Sequence, residues 1–469
     1  MHTTSKATLS FYGGVGSVTG ANFLLTGEHT KVLIDCGLIQ GEAFAHKANR
    51  EPFAYDPATT QYLLVTHAHI DHIGRIPKLV RDGFRGKIIS TPHTLDLARL
   101  MLPDAFSVLR AELASGEEPF YDEADIKAAF SLWDTVPYHH PFTAGEFDVV
   151  VKDSGHILGS GMFEIRKHIE ISESEGGVVE PERRSIVFTG DLGNFPTPLL
   201  KPAEVITDAT YLVMESVYGD RTFDGKERRK ERLAEVVRAS AQKGGVLLIP
   251  CFSLEKTQVL LYEIDDLLTR GSIPRIPVFL DSPLAIKVTD VYRRSAQSFN
   301  EEAQARHKKG DDLFSFPNLR ITMDAAASAD IARTPDPKII IAGSGMSAGG
   351  RILDHERRYL TDPRNTILFI GYQVVGGLGR QIQEGMAHVR INHETIKVKA
   401  DVVTITGYSS HMDGEHLLEF AARGEGTTEK IFVVMGEPKS ALFLAQRIRD
   451  YAGIDTHVPQ AGESVEISL

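Results

Sequence analysis

The run Thr66-His67-Ala68-His69-Ile70-Asp71-His72 packs three imidazoles and a carboxylate into six positions, directly after the apolar stretch Tyr62-Leu63-Leu64-Val65. Imidazole nitrogen and carboxylate oxygen are ligands that suit zinc, with manganese or iron as competitors. Side chains alternate along a strand, so His67 and His69 point the same way where the extended run ends. Asp71 and His72 follow at the turn into a helix that carries Ile73, Ile76, Leu79 and Val80. The spacing lets the two histidines bind one ion while Asp71 and His72 reach a second.

Other ligand-type residues stand at the ends of strand-like runs, where a shared site could collect them. Asp35 ends Val32-Leu33-Ile34 and precedes Cys36-Gly37; His156 lies in Ser154-Gly155-His156-Ile157-Leu158-Gly159-Ser160; Asp191 ends Ile186-Val187-Phe188-Thr189-Gly190. Each has a glycine nearby, which permits close backbone approach.

The elements that must position these residues are short. Ala7–Tyr12, Ala21–Leu25, Lys31–Asp35, Tyr62–Thr66, Lys87–Ser90, Phe147–Lys152, Met162–Arg166 and Ser185–Thr189 read as strands. The Glu-, Ser- and Gly-rich stretch Glu170–Arg184 reads as a surface hairpin loop. From Ala209 a regular alternation begins: helix Gly225–Lys243, strand Val246–Pro250, a helix capped by Ser253, strands Val278–Asp281 and Lys338–Ala342, a helix around Arg351–Leu360, and strand Thr366–Gly371. Such alternation implies a parallel, helix-covered sheet. Strands Asp401–Thr406 and Lys430–Val434, with helices after His411 and Ser440, resume the earlier style. The expected organisation is therefore a first domain of residues 1–208 and 400–469, with residues 209–399 inserted into it.

Bulk composition narrows the function classes. A chain of 469 residues exceeds the size at which a single core stops growing, about 250–300 residues. Its 42% hydrophobic and 24% charged residues are ordinary for a globular protein, and the formal net charge of −12 argues against a basic nucleic-acid coat. Any polyanion must be gripped locally. Two cysteines, Cys36 and Cys251, far apart and each beside an apolar run, point to a reducing compartment. The N-terminal residues carry no apolar signal region and no run approaches the ~18 apolar residues of a membrane span. The expected location is the cytoplasm, with no membrane partner.

The order Asp35, the motif at 67–72, His156 and Asp191 resembles the metallo-β-lactamase superfamily. Glu215 in Val213-Met214-Glu215-Ser216-Val217-Tyr218-Gly219-Asp220-Arg221, the string Asp281-Ser282-Pro283-Leu284-Ala285, Gly343-Ser344-Gly345-Met346, and His411 in Gly407-Tyr408-Ser409-Ser410-His411 narrow it to the β-CASP nucleases, the group of ribonuclease J and of the cleavage and polyadenylation factor endonuclease. The resemblance runs over nearly the whole chain. It implies an α/β fold: an αβ/βα metallo-β-lactamase sandwich with an inserted parallel-sheet β-CASP domain.

It also implies roles. His67, His69 and His156 would hold one zinc ion, Asp71 and His72 a second, with Asp191 bridging them and Asp35 orienting ligands. Water activated to hydroxide by the metals would attack an RNA phosphodiester, with His411 as general acid and Glu215 as its carboxylate partner. The catalytic set is thus Asp71, Asp191, Glu215, His411 and Asp35. The Gly343–Gly350 loop follows a strand and precedes a helix, so its amides could cradle a phosphate. Ser344, Gly345, Ser347, Ser409, Ser410, Lys256 and Arg380 are the expected phosphate contacts. The substrate implied is single-stranded RNA, cut endonucleolytically with 5′-to-3′ exonuclease action alongside; homo-oligomerisation stays open. His139, His140, His388 and His393 fall outside the matched motifs and read as surface residues.

The chain departs from the family at one position. The family supplies a further histidine to the second metal in a His-Gly-Glu context, where this chain has Met435-Gly436-Glu437. A thioether does not suit zinc beside carboxylates. The second site is expected to be weaker, and a noncatalytic RNA-binding scaffold is the competing expectation.

Overall fold

The computed structural model describes residues 6–41, 45–113, 116–168, 184–223, 228–371, 373–374 and 376–469. The chain forms two compact units. The first comprises Met1–Phe195, Pro202–Thr222 and His411–Leu469; the second comprises Pro196–Lys201 and Phe223–Ser410.

The first unit holds two seven-stranded sheets. One runs in the order Ser464–Ser468, Lys6–Gly13, Asn22–Thr26, Lys31–Ile34, Tyr62–Leu64, Lys87–Ser90, Trp133–Thr135, antiparallel up to Lys31–Ile34 and parallel beyond it. The other runs Asp455–His457, Lys430–Val434, Tyr211–Glu215, Ser185–Phe188, Gly161–Lys167, Phe147–Asp153, Phe142–Ala144. Its first four strands are parallel and the rest antiparallel. Strand alternation divides the apolar runs between two cores. Ile186, Phe188, Val213, Phe432 and Val434 join Leu9, Phe11, Phe23 and Ile34 between the sheets. Their neighbours Val187, Leu212, Met214, Ile431 and Val433 face the other way, onto Leu417, Phe420, Leu444 and Ile448 of helices Gly414–Ala422 and Pro438–Ala452. A continuous apolar strand covered on both faces is the pattern of a buried parallel sheet.

The second unit is built on a six-stranded sheet, ordered Leu319–Ile321, Val278–Asp281, Lys338–Ala342, Val246–Pro250, Thr366–Phe369, Asp401–Thr404, with every pair parallel. A two-stranded antiparallel ribbon, His388–Ile391 with Glu394–Lys397, packs Val389, Ile391 and Ile396 into the same core as Ile340, Ile352 and Phe369.

The strands match their sequence expectations to within a few residues, but the boundaries between the units do not. Tyr211–Glu215, expected in the insert, pairs with Ser185–Phe188 and Lys430–Val434 in the first unit, whereas Asp401–Thr404, expected in the returning segment, pairs with Thr366–Phe369. Short apolar strands carry no local mark of which sheet accepts them. The expected helix carrying Ile73, Ile76, Leu79 and Val80 is two helices, Ile70–Ile73 and Ile76–Arg81, with Pro77, which lacks an N–H, in the first turn of the second. Ser253 does not cap the next helix. That helix begins at Lys256 after Glu255 turns through φ 61°, and the Ser253 hydroxyl lies 3.5 Å from that of Ser282. The last long helix starts at Pro438, so Ser440 is inside it and donates to the Ser216 carbonyl at 2.6 Å. The predicted loop Glu170–Arg184, save Arg184, and the start of the predicted helix Gly225–Lys243 lie outside the described residues.

Candidate metal centre

Every expected metal ligand belongs to the first unit, on loops or, for Asp71 and His72, in the short helix Ile70–Ile73, after strands from both of its sheets. Asp35 follows Lys31–Ile34 and takes φ 58°. Its Oδ1 accepts from the Thr66 N–H and its Oδ2 from the Thr66 hydroxyl, both at 2.8 Å, while His72 Nδ1 donates to Oδ2 at 2.7 Å. Thr66 has one hydroxyl proton and gives it to Asp35, so the contact from His67 Nδ1 at 3.1 Å is a donation from the ring. Both rings therefore carry their proton on Nδ1 and present Nε2 to the centre. Thr66 was missed by sequence reasoning, although it begins the motif.

Four ligand atoms converge. His67 Nε2 lies 3.0 Å from His69 Nδ1, and His156 Nε2 lies 3.2 Å from the same nitrogen. Asp191 Oδ2 lies 3.4 Å from both His67 Nε2 and His156 Nε2. A tetrahedron whose vertices sit ~2.0–2.1 Å from a zinc ion has edges of about 3.3 Å, so the spacing of these atoms fits a bound metal.

Asp191 also faces the other way. Its Oδ1 lies 3.5 Å from His72 Nε2, and Asp71 Oδ2 lies 3.9 Å from that nitrogen. His72 Nε2 and Asp191 Oδ1 are both buried, and neither has a hydrogen-bond partner among the described residues. Two buried, unsatisfied polar atoms directed at one space cost free energy unless a cation or water fills it. The donor set thus fits a second metal held by Asp71, His72 and the second oxygen of Asp191.

The electrostatics agree. Burial, with His72 beside it, pushes His67 well below the usual histidine range, leaving a neutral ligand. Burial acts on His72 too, but the Asp191 and Asp35 carboxylates outweigh it and hold His72 well above that range. Burial likewise opposes ionisation of Asp191, yet His72 and His411 keep its carboxyl well below the ordinary value. A metal held by these atoms would take the place of the second proton on His72.

Beside this cluster, Glu215 ends the strand Tyr211–Glu215 and is fully buried, with Oε1 accepting from the Leu192 N–H at 2.6 Å. His411 Nδ1 lies 3.3 Å from both oxygens of Glu215 and 3.8 Å from Asp191 Oδ2. A bridge between Gly193 and His411 fixes the backbone there. The Tyr218 ring stands edge-on to the imidazole at 5.9 Å, a neighbour the sequence reading quoted but gave no role. Burial raises Glu215 above the usual carboxylate range, against the pull of His411.

Met435 takes φ 49°, donates its N–H to the Gly14 carbonyl at 2.6 Å, and packs in the core between the sheets. With Asp35, Thr66 and His72 it lines one small pocket.

The expected phosphate contacts belong to the second unit, and their side chains are differently engaged. Ser347 is a correction: it is 1% exposed and donates to Glu356 at 2.5 Å, so its hydroxyl is committed inside the unit. The Ser344 hydroxyl accepts from the Ala348 N–H, and the Gly345 carbonyl accepts from the Gln373 amide. Arg380 is paired with Glu384 at 2.7 Å. Ser409 donates its N–H to the Thr406 carbonyl, and Ser410 ends the unit. Lys256 differs: its ammonium sits 4.2 Å over the Phe252 ring, and burial lowers it to about 8 with only Cys251 opposing.

Among known proteins, residues 16–210 match the family model of the metallo-beta-lactamase superfamily, residues 257–382 that of the Beta-Casp domain, and residues 395–459 that of the Zn-dependent metallo-hydrolase RNA specificity domain. The chain is similar to Ribonuclease TTHA0252 of Thermus thermophilus, with 34% identity over 97% of this chain and 99% of that one. It is also similar to the Transcription termination factor FttA of Methanosarcina mazei (28% identity, 97% of this chain, 71% of that one) and of Pyrococcus abyssi (29%, 97% and 70%). A solved structure of a protein of unknown function from Enterococcus faecalis shares the fold, at 12% identity and a TM-score of 0.56 over 99% of this chain and 100% of that one.

Proposed function

The chain belongs to the metallo-β-lactamase superfamily, within it to the proteins with a Beta-Casp domain, and from that premise we propose that it is a metal-dependent ribonuclease. The observation that carries the reading is the convergence of His67, His69, His156 and Asp191 on one point, with Glu215 and His411 alongside. The relative named a ribonuclease aligns along almost its entire length, which supports the same chemistry here.

Zinc suits the nitrogen-rich first set, and a second ion suits Asp71, His72 and Asp191. When bound, such metals supply a water acidified towards neutral pH and polarise a phosphoryl oxygen. The chain's own residues do the rest. Asp35 and Thr66 hold the rings of His72 and His67 with Nε2 inward. Glu215 holds His411, which gives a proton to the departing ribose oxygen. Glu215 is itself fixed by the Leu192 amide, so the imidazole faces the reacting bond with little rotational freedom. The substrate we assign is single-stranded RNA, cut internally with 5′-to-3′ trimming, in the cytoplasm. No helix among the described residues is long and apolar enough to cross a membrane. Ser344, Gly345, Ser409, Ser410, Lys256 and Arg380 remain the proposed phosphate contacts, Lys256 foremost because among the described residues it is in no ion pair with a carboxylate.

The test pairs a metal count by mass spectrometry with cleavage of single-stranded RNA by wild type and Asp191→Ala. Metal-loaded wild type that cuts RNA, and a variant that does not, supports the assignment; RNA left intact by both refutes it. Met435 favours one competing reading, a noncatalytic RNA-binding scaffold. A metal count near zero would select it.

A further inference from the structure

From charge placement on the ribbon His388–Ile391 and Glu394–Lys397, we propose that its outer face is a binding surface for the phosphate backbone of RNA. The inference rests on the ribonuclease reading for the identity of the polyanion, but on different residues. The ribbon alternates except at its exposed end residue Glu394. Val389, Ile391 and Ile396 are buried in the core of the second unit, so the ribbon is anchored; His388, Arg390, Thr395 and Lys397 are exposed on the opposite face. In register His388 stands across from Lys397 and Arg390 across from Thr395, and Lys399 follows, also exposed.

Many cations elsewhere on the described surface are ion-paired. Arg232 pairs with Glu235, Arg293 with Asp290 and Asp312, Arg270 with Asp266, and Arg447 with Glu415. On the ribbon the single carboxylate, Glu394, is drawn off by Arg357 of helix Ile352–Tyr359 at 2.9 Å. Arg390 and Lys397 lie diagonally across the strand pair on one face, and like charges that close disfavour a ribbon. A sequence that tolerates this in a protein of net charge −12 has concentrated its positive potential where a polyanion can meet it. Phosphate contacts of this kind position a strand without reading its bases. The match to the Zn-dependent metallo-hydrolase RNA specificity domain begins at residue 395 and takes in Lys397 and Lys399. His388, which the sequence motifs left as a surface residue, acquires a role through its register.

The test compares the full chain with R390E/K397E by anisotropy of a labelled oligouridylate in EDTA across a salt series. Each lost phosphate contact lowers the slope of log K against log salt by about 0.7 for a single strand, so the double variant is expected to lose about 1.4 in slope and at least tenfold in affinity at low salt. Metal content and hydrolysis of bis(4-nitrophenyl) phosphate stay at wild-type values, and the melting temperature does not fall. R390Q/K397Q shifts the same way by less. R232E/R293E, which reverses cations already paired, changes affinity less than about twofold. An unchanged slope in R390E/K397E, or an equal loss in R232E/R293E, overturns the proposal. So does a wild-type dimer in sedimentation that R390E/K397E dissolves, because a second copy would then be the occupant. The two readings fail separately. Wild type that binds oligouridylate through the ribbon yet cuts no RNA removes only the ribonuclease reading, whereas RNA cleavage with a silent ribbon variant removes only this one.

Discussion

Asp35 and His72, 37 positions apart, are joined by a 2.7 Å hydrogen bond that leaves the far nitrogen of the imidazole buried, without a hydrogen bond among the described residues, and 3.5 Å from Asp191. The carboxylate never enters the cluster itself, yet it decides which nitrogen of His72 does.

Asp35→Asn keeps the shape of the side chain and suits the left-handed backbone at φ 58°. Its amide no longer accepts well from Nδ1, so His72 loses its tautomer preference. We expect metal affinity to fall about 10–100-fold, the usual cost of removing such an outer partner, with the fold retained. Zinc competition titration measures it; affinity equal to wild type would contradict the arrangement.

Met435→His offers an imidazole beside His72 in the pocket they share. Histidine tolerates positive φ better than most residues, so φ 49° is no obstacle. The metal count should rise towards two per chain, whereas Met435→Leu leaves it at the wild-type value. No rise in the histidine variant would mean that position 435 does not face the second site.

His411→Ala and Glu215→Gln separate chemistry from metal binding. His411 lies 3.8 Å from Asp191 and its ring packs 4.6 Å from that of His156, but its Nδ1 faces Glu215, so metal content is expected to persist. Turnover should drop about 10²–10⁴-fold for the alanine variant, the range for loss of a general acid, and less for Glu215→Gln. Loss of metal in step with activity would make His411 a ligand instead.

Glu255, in the second unit, supplies a pH dependence of its own. It is buried and accepts from the Tyr292 hydroxyl at 2.6 Å, and burial pushes it from 4.5 to about 8. The folded protein therefore holds a proton that the unfolded chain releases above its ordinary value. Stability falls as pH rises from about 4.5 to about 8 and levels off above that, by on the order of 3–5 kcal/mol at 1.36 kcal/mol per pKa unit. Glu255→Gln stays neutral throughout. Its urea midpoint should exceed that of wild type at pH 8.5 by more than at pH 5.5; parallel profiles would show that Glu255 ionises freely.

Much of this was legible in the chain. Strands Lys87–Ser90, Val246–Pro250, Val278–Asp281, Lys338–Ala342 and Lys430–Val434 lie where their apolar runs predict, because a buried strand needs only a short β-branched run between turn residues. What failed was assignment to sheets. Tyr211–Glu215 and Asp401–Thr404 look alike locally and went to opposite units, since pairing is decided by which edge is open. Ser347 read as part of a loop whose amides could cradle a phosphate; only the tertiary structure shows its N–H spent on the Ser344 carbonyl and its hydroxyl on Glu356.

For the metal centre the division is sharper. Donor types and their placement at strand ends follow from sequence alone, because side-chain alternation and the chemistry of imidazole and carboxylate are local properties. That Asp191 sends one oxygen to His67 and His156 and the other to His72, that Thr66 and Asp35 set the tautomers, and that Glu215 meets His411 are tertiary facts. They depend on strands distant in sequence ending at one edge, where separations of a few tenths of an ångström decide whether donors share an ion or merely lie near one another.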